Sequence, residues 1–273
     1  MLNSRKCGVN VMRSEERQNY ILKIAQEHGF VSIEAVAKTL DVSIETIRRD
    51  INKLCENESL RKTRGGAVPN KLICRKDVEY LSRIKSNQQV KLTIGSFAAS
   101  MIHDGSVVAL DAGVSIQSIA HRISGVKNVT FITNSIAIAN ILIDKFNAHE
   151  AEGRIIVVGG ELDVSNRFSK GALATNFIRD YHFDIAFVSC TALSCDAVSS
   201  YSLDECSYSR QLIEQSSYSI LIAESDKIGK NSVCSFAKIS DFNEIITDNR
   251  NQISDDFKKK CEEKNTKLVI LAC

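Results

Sequence analysis

The stretch VSIETIRRD, residues 42–50, places two arginines side by side in a segment whose pattern predicts a helix. Ser43 can accept a hydrogen bond from a free N–H of the first turn, so we expect the helix to begin there. One face of this helix carries apolar residues at helical spacing and is predicted to face a core; these residues are Ile44, Ile47, Ile51 and Leu54. With about 100° per residue, Arg49 lies opposite the centre of that face and Arg48 lies on its flank.

Two shorter helices are predicted upstream of this one, opened by Ser14 and Ser32. The tight turn of Asp41 and Val42 joins the second of them to the arginine-bearing helix. Two short helices joined in this way, with cations pointing outward from the second, are typical of helix-turn-helix proteins, in which the second helix enters the DNA major groove. The pattern predicts one arginine at the base edges and the other at a phosphate, and leaves open which is which.

The next stretch, LRKTRGGAV, residues 60–68, has two adjacent glycines between short β-prone runs and predicts a hairpin. A hairpin that follows a recognition helix is a wing. Its cations, Arg61, Lys62 and Arg64, are expected to neutralise phosphates without reading sequence. A bundle of charged helices with a loop, used for protein contacts, is the alternative interpretation.

These residues resemble a known family. Arg17, the run VSIEAVAKTLDVSIETIRRDINKL and the stretch RKTRGGAV are similar to the winged helix-turn-helix of the DeoR family of bacterial repressors of sugar metabolism. The string VS-x-x-TIRRD followed by GGA is specific to that family. The resemblance implies a DNA surface that includes Ser43, Thr46, Arg48 and Arg49, with the wing of residues 61–66 beside it. We add Lys53, which the helical wheel places near Arg49.

Positive charge is concentrated in the first third of the chain. Residues 1–91 contain 18 Lys and Arg against 11 Asp and Glu, while residues 92–273 contain 17 against 22. This asymmetry predicts an anionic polymer as partner of the front part alone. The length of 273 residues and the hydrophobic content of 44% are typical of two globular domains.

Other classes of protein lack support in the sequence. No apolar run reaches membrane length and the first residues lack a signal-peptide pattern, so we expect a cytoplasmic protein with no membrane partner. The nine cysteines and five histidines are scattered, which predicts reduced thiols, no metal and no cofactor. A redox or metal role for Cys190 and Cys195 is the alternative. Hydrolase, zinc-protease and P-loop motifs are absent.

Three segments follow from these patterns. Residues 1–70 are predicted to be the DNA-binding domain, residues 71–91 a linker with a connecting helix, and residues 92–273 an α/β domain. In the last segment, seven β-branched runs separated by helical segments predict a parallel sheet covered on both faces. The runs are 107–110, 129–133, 155–158, 184–188, 219–223, 244–247 and 268–271.

Small polar residues follow three of these runs, at the carboxyl ends of strands, where such sheets bind ligands. They are DAGVS (111–115), TNS (133–135) and GG (159–160). Glycine lets backbone approach a ligand, and free N–H groups at a helix start favour an anion. Together they predict one crevice for a phosphate or a polyol. The alternative is that each loop only caps the helix after it.

This part of the chain also resembles the sensor domain of the DeoR family, which is related in fold to ribose-5-phosphate isomerase and the CoA transferases. The matches include HDGSVVALDAG, TNS, FDIAF and SDKIG, and Tyr80, Arg83 and Lys91 match a family element in the connector. The resemblance implies a phosphorylated sugar or related metabolite held by Asp111, Gly113, Ser115, Thr133, Asn134 and Ser135, with Asp184, Glu205 and Lys227 on the far side.

The chain departs from the family pattern close to this site. Val114 replaces a hydroxyl residue, while Glu224 and Asp226 stand where the family tends to have Asp and Ser. A lost hydroxyl and an added carboxylate both weaken phosphate binding. The ligand is therefore expected to be an unusual phosphorylated sugar or a non-phosphorylated one, unless the site has lost its ligand.

We expect a transcriptional regulator, a repressor of a sugar-metabolism operon that its metabolite releases from operator DNA. Symmetric operators require symmetric proteins, so a homodimer or homotetramer is expected. The rival hypothesis is a sugar-phosphate isomerase that acts through Asp184, Glu205 and Lys227, because these residues include a carboxylate base and a cation for a developing oxyanion. A catalytic domain needs no basic wing, which favours the regulator over an enzyme.

Overall fold

The computed structural model describes residues 13–28, 30–57, 59–63, 65–69 and 80–273. The chain divides into two compact units, unit 1 (Met1–Leu72) and unit 2 (Ile73–Cys273). Arg64 of the predicted wing and residues 71–79 of the predicted linker lie outside the described residues.

Unit 1 has the predicted helix-turn-helix. Ser32 and Ser43 cap the second and third helices, since their Oγ atoms accept hydrogen bonds from the N–H groups of Ala35 and Thr46 at 3.4 and 3.1 Å. Asp41 adopts a positive φ of 50° in the turn between these helices. The elements are α1 (Ser14–His28), β1 (Val31–Ser32), α2 (Ile33–Thr39), α3 (Ile44–Glu56), β2 (Leu60–Thr63) and β3 (Gly66–Pro69).

The wing is confirmed as an antiparallel hairpin in which β2 pairs with β3, and β1 adds a third strand on the other side of β3. Gly65 lies in the turn with φ of 82°, a conformation that favours glycine. At Gly66 a Cβ atom would lie 2.0 Å from the carbonyl oxygen of Val31. Only glycine at position 66 therefore allows β1 to pair so closely with the hairpin.

The core of unit 1 forms between α1, α2, α3 and the wing. Ile47, Ile51 and Leu54 of α3 are buried, as the helical spacing predicts. The prediction for Ile44 is wrong, because its side chain is 45% exposed at the first turn of α3. Spacing alone could not show that the core ends one turn short of the start of the helix.

Unit 2 contains a seven-stranded parallel sheet in the order β15-β14-β12-β9-β4-β5-β6, and all seven predicted runs form its strands. The sheet strands are β4 (Val107–Leu110), β5 (Val126–Thr133), β6 (Ala151–Val157), β9 (Ile185–Ser189), β12 (Ser219–Ile222), β14 (Glu244–Asp248) and β15 (Lys267–Leu271). The short strands are β7 (Glu161–Asp163), β8 (Phe168–Lys170), β10 (Ala192–Leu193), β11 (Val198–Ser200) and β13 (Cys234–Ala237).

Helices cover both faces of the sheet, and two hydrophobic clusters result. One cluster includes residues of α5, α6 and α7, and the other includes residues of α8, α9 and α10. The helices are α4 (Tyr80–Lys85), α5 (Gln88–Ala99), α6 (Val114–Arg122), α7 (Ile136–Asn147), α8 (Gly171–Phe177), α9 (Leu203–Glu214) and α10 (Asp255–Glu263). Among the described helices, none has the length and apolar character that crossing a bilayer requires.

The strand order has a switch point between β4 and β9. From β4 the chain builds outward through β5 to β6, and it then returns to β9 and builds outward the other way. The segments that leave the carboxyl ends of β4 and β9 thus run in opposite directions. Ligands of open α/β sheets bind in the crevice that such a divergence creates.

Candidate functional site

The outward face of α3 is polar and cationic. Arg49 and Lys53 are exposed, and Thr46 lies one turn before Arg49 on the same side of the helix. Together with Ser14 and Arg17 of α1 they line a surface depression of about 340 Å³. We call this surface the α3 face.

Arg48 lies on the flank of α3 and is also exposed, with its Nη1 atom 3.6 Å from Oε2 of Glu45. Asn52, one turn further along this flank, contributes to a second depression together with Arg61 and Lys62 of β2. The flank that carries Arg48 therefore continues toward the wing. The hydroxyl of Ser43 lies 2.8 Å from that of Thr46 and also caps the helix.

A buried ion pair holds α3 against α1. Nε of Arg17 donates to Oδ2 of Asp50 at 2.6 Å, while Ser14 and Gln18 donate to Oδ1 at 3.0 and 3.2 Å. Burial alone would raise the pKa of Asp50, but these hydrogen bonds outweigh it and leave the pKa below its ordinary value. This role of Asp50 was not predicted, although its place among buried residues of α3 was a signal for it.

Unit 2 has a cavity of about 360 Å³ at the carboxyl ends of β4 and β9. Five of the residues predicted to bind the effector line this cavity, and they are Asp111, Gly113, Ser115, Glu205 and Lys227. Gly113 was expected to let the backbone approach a ligand, but the structure shows a second reason for a glycine at this position. A Cβ atom there would lie 2.6 Å from Oγ of Ser189, so the glycine makes room for that side chain.

Asp111 is the buried carboxylate of the cavity. It accepts hydrogen bonds from the N–H groups of Ala112 and Ser189 at 2.8 and 3.2 Å and from the hydroxyl of Ser209 at 3.1 Å. Burial raises the pKa of Asp111 to about 7, and the nearby charge of Glu205 adds to the increase. Asp111 can therefore be protonated or ionised close to neutral pH.

The other predicted charges line the cavity in fixed positions. Oε2 of Glu205 accepts a hydrogen bond from Oγ of Ser200 at 2.5 Å. Nζ of Lys227 donates to the carbonyl oxygen of Cys190 at 2.8 Å, which directs the ammonium group along the end of β9. Both side chains line the cavity.

At another wall of the cavity, Lys91 and Glu224 form a buried ion pair with 3.6 Å between Nζ and Oε1. Nζ of Lys91 also donates to the carbonyl oxygens of Arg83, at 2.8 Å, and Ser86. Burial lowers the pKa of Lys91, and the charge of Glu224 opposes that effect. Oε1 of Glu224 accepts a further hydrogen bond from Ser115 at 3.1 Å.

Comparison with known proteins assigns both units. A model described as the DeoR-like helix-turn-helix domain matches residues 17–72, and one described as the DeoR C-terminal sensor domain matches residues 86–249. The HTH-type transcriptional repressor GlcR of Bacillus subtilis (strain 168) is 34% identical over 87% of this chain and 89% of its own length. The chain belongs to the DeoR family.

Two further matches to this DeoR protein have lower sequence identity. The glycerol-3-phosphate regulon repressor of Escherichia coli (strain K12) is 28% identical over 87% of the chain and 92% of its own length. Ribose 5-phosphate isomerase A from Methanocaldococcus jannaschii, a solved structure, aligns with 53% of this chain and 56% of its own at 13% identity and a TM-score of 0.37. The predicted fold class, a winged helix-turn-helix with a parallel-sheet α/β sensor domain, is confirmed for the DeoR chain.

The structure does not place Thr133, Asn134 and Ser135 in the lining of the cavity of the DeoR sensor domain, where they were expected. Oγ1 of Thr133 accepts a hydrogen bond from the N–H of Ser135, and Oγ of Ser135 caps α7. Nδ2 of Asn134 donates to the carbonyl oxygen of Ser169 at 3.0 Å. These polar groups hold the end of β5 to neighbouring loops, as the alternative interpretation of the sequence proposed.

The position predicted for Asp184 is also wrong. Asp184 is exposed and precedes β9, where its Oδ2 accepts a hydrogen bond from the N–H of Val107 at 2.8 Å. Val107 begins β4, so this contact lies at the amino ends of the strands, opposite the cavity. Asp184 cannot act together with Glu205 and Lys227.

Several residues of the cavity were not predicted from the sequence. Arg83 and Lys91 were noted as matches to the family, but their place in the cavity was not predicted, and Glu224 and Asp226 were noted only as departures. No local pattern pointed to the remaining polar residues, which are Ser86, Asn87, Ser189, Thr191, Ser200, Ser209 and Lys230. Within the described part of the chain, no cluster of ligands suits a metal ion and the seven cysteines are free thiols.

Proposed function

We propose that this DeoR-family regulator is a repressor that binds operator DNA through the α3 face and the wing. The observation that carries the proposal is the exposed cationic side of α3, where Arg49 and Lys53 face outward while Asp50 is buried behind them. Thr46 and Arg49 suit base edges, and Arg48, Arg61 and Lys62 suit phosphates. Arg64, in the same stretch of sequence, belongs to this set by sequence alone.

We propose further that a sugar or sugar derivative bound in the cavity releases the DNA. Relatives are named as a glycerol-3-phosphate regulon repressor and a lactose phosphotransferase system repressor, which supports a carbohydrate-related effector. Asp111, Ser115, Glu205 and Lys227 offer donors and acceptors that suit hydroxyl groups. The effector acts only if it binds the DNA-free state more tightly than the DNA-bound state.

The cavity is proposed to bind its ligand without converting it. The proposal is supported by the position of Asp184, which takes one of the three residues of the isomerase hypothesis out of the cavity, while Glu205 and Lys227 remain there. Incubation of the full chain with ribose 5-phosphate, followed by analysis of the sugar, is expected to return only the aldose. Formation of the ketose would support the isomerase instead.

The direct test of the regulator starts from a pool of random double-stranded DNA. Selection with the full chain should enrich one sequence with two related half-sites. The protein is proposed to bind as a homodimer or homotetramer, with one DNA-binding domain on each half-site. Light scattering of the complex gives the number of copies. Failure to enrich any sequence, with binding that does not respond to salt, would contradict the proposal.

The sensor is tested on the selected DNA by fluorescence anisotropy against a panel of sugars and sugar phosphates. One member of the panel should release the DNA, and Lys227→Ala should abolish that response while DNA affinity stays unchanged. A response that survives in Lys227→Ala would remove Lys227 from the effector site. Lys259→Ala, which changes an exposed lysine of α10, is the matched control.

A further inference from the structure

The helix α4 is the first element that the structure describes in unit 2, and polar contacts hold it in place. It has six residues, of which Tyr80 alone is buried. A helix of this length is not stable by itself in water, and most helical stability in proteins comes from packing. The position of α4 therefore depends on the contacts that its side chains make with the rest of unit 2.

Tyr80 and Arg83 of α4 are both held by the turn between β7 and β8. The guanidinium of Arg167 lies 5.2 Å from the centre of the Tyr80 ring, and the hydroxyl of Tyr80 donates to Oε1 of Gln117 in α6 at 3.1 Å. Nη2 of Arg83 donates to Oδ1 of Asn166 at 2.6 Å. Asn166 and Arg167 are adjacent, so one turn supplies two contacts to α4.

The other end of the Asn166 amide points to the segment before α9. Its Nδ2 donates to the hydroxyl of Tyr201 at 3.1 Å, and that hydroxyl donates to Oε1 of Glu205 at 3.4 Å. Because a guanidinium only donates, it fixes the oxygen of the amide toward Arg83 and the nitrogen toward Tyr201. We call these contacts, which run from Arg83 through Asn166 and Tyr201 to Glu205, the Asn166 bridge.

The turn that carries Asn166 is itself fixed by backbone hydrogen bonds. The N–H of Asn166 donates to Oδ1 of Asp163 at 2.9 Å, and the N–H of Arg167 donates to the carbonyl oxygen of Asp163 at 2.7 Å. The carbonyl oxygen of Arg167 accepts a hydrogen bond from the N–H of Ile136 at 2.9 Å. The amide is therefore presented from a defined position, and α4 is the weaker partner of the bridge.

Both ends of the Asn166 bridge belong to the cavity, since Arg83 and Glu205 line it. The guanidinium and the carboxylate are the donor and the acceptor that sugar hydroxyl groups can use. A ligand that engages them competes with Asn166 and Tyr201, and α4 then loses a contact on which its position depends. In the sequence, residues 73–79 join α4 to unit 1, so the cavity acts on the chain at the point where it leaves for the DNA-binding unit.

We propose that Asn166 is a positioning residue of the effector response. Its amide holds α4 in the arrangement that favours DNA binding, and the ligand releases α4 by drawing Arg83 and Glu205 away from that amide. This inference rests on the proposed function and adds the step that joins its two parts. The ligand shifts the arrangement only by the difference in its affinity for the two states.

Asn166→Ala should act as the ligand does, because it removes the bridge from the sugar-free protein. Operator affinity of the full chain without any sugar, measured by fluorescence anisotropy, should fall about tenfold, which is within the usual range for coupled sites. Asn140→Ala, which changes an exposed asparagine of α7 in the same unit, is the matched control and should bind as the wild type does. Unchanged operator affinity in folded Asn166→Ala would overturn the inference.

Tyr201→Phe tests the far half of the bridge and provides a second route if Asn166→Ala does not fold, as judged by circular dichroism. The change removes one hydroxyl and keeps the ring, so operator affinity should again fall. The double variant should lose no more than Asn166→Ala alone, because both changes break the same bridge. Losses that add up in the double variant would mean that the two residues act separately and would overturn it.

Hydrogen exchange of the chain alone keeps this inference testable apart from the proposed function. Amides at the end of α4 should exchange at least about threefold faster in Asn166→Ala than in the wild type or Asn140→Ala, while those of α3 stay unchanged. Equal exchange of α4 in all three would overturn the inference without any use of DNA. A wild type that selects no operator loses the proposed function, and with it the response that Asn166 controls. Normal operator selection with an unresponsive Asn166→Ala keeps the function and overturns the inference alone.

Discussion

The α3 face and the cavity of unit 2 use the same kinds of charged side chain in opposite ways. On the α3 face the cations Arg49 and Lys53 are exposed, and the carboxylate of Asp50 is buried behind them. In the cavity, cations and carboxylates are balanced, and the buried Lys91 is paired with Glu224. An excess of exposed positive charge attracts any polyanion, whereas a balanced cavity selects by shape and hydrogen bonds.

The largest effect is expected from Asp50→Ala, which would break the buried pair and remove the carboxylate that Arg17, Ser14 and Gln18 contact. The loss should cost about 3–5 kcal/mol in the free energy of unfolding of unit 1. Calorimetry of the full chain measures it as a lowered first transition. Glu45→Ala is the control, because its pair with Arg48 is exposed and should contribute less than about 1 kcal/mol. Equal losses would erase the distinction between buried and exposed charge within unit 1.

The raised pKa of Asp111 predicts a dependence of stability on pH. Between the unfolded value of about 3.9 and the folded value of about 7, native Asp111 keeps a proton that the unfolded chain has lost. Stability should therefore fall as pH rises through this window, by up to about 1.4 kcal/mol per pH unit, and level off above it.

Asp111→Asn should remove that slope in denaturant unfolding measured across the window. Asp184→Asn, which changes an exposed carboxylate at the other end of the sheet, should leave the slope as it is. An unchanged slope in Asp111→Asn would show that the cavity does not hold its carboxylates as the structure indicates.

Arg49→Ala tests base reading by the α3 face. If Arg49 contacts a base, the change should cost about 1–3 kcal/mol on the selected operator and relax discrimination at one position. Competition titrations against operator variants measure both effects. A uniform loss on operator and random DNA would move Arg49 from the base edges to the phosphates.

Ile44 offers a smaller and more local effect. Its exposed side chain at the start of α3 suits the C5-methyl group of thymine in the major groove. Ile44→Ala should lower operator affinity by roughly 1 kcal/mol, and replacement of the contacted thymine by deoxyuridine should have no additional effect in this variant. Additive losses would place Ile44 away from the methyl group.

Lys62→Ala should have the smallest effect on discrimination. As a wing cation it is expected to contact a phosphate, so operator and random DNA should weaken alike and the slope of log affinity against log salt should fall by about one. Lys23→Ala, in α1, is the control. A change in base preference in Lys62→Ala would mean that the wing reads sequence.

The sequence predicted the architecture well, because burial leaves a direct trace in composition. Parallel strands covered on both faces consist of apolar runs, so the runs that became β4 and β9 were recognisable without a structure. The wing followed in the same way from two glycines, one of which the structure shows to be required by the backbone of Val31. The exposure of Ile44 depends on where the hydrophobic core of unit 1 ends. The spacing of apolar residues in the sequence does not show this.

The cavity was predicted only in part, because helix caps and ligand sites use the same small polar residues. Ser115 lines the cavity while Ser135 caps α7, and nothing local separates the two loops. The error at Asp184 was avoidable, since a residue that precedes a strand lies at its amino end. The contacts of Glu224 could not be predicted from the sequence, because they join residues as distant along the chain as Asn87 and Arg250.

The buried carboxylate of Glu224 at the wall of the cavity also bears on how this protein could diverge. Glutamate codons are a single nucleotide substitution away from those of alanine and glutamine. A single mutation at codon 224 would therefore remove the partner of the buried Lys91 in the cavity. The product of a duplicated gene could in this way respond to a new inducer while it still recognises the same operator. Regulators with a common DNA target and different metabolic inputs would arise from such a step.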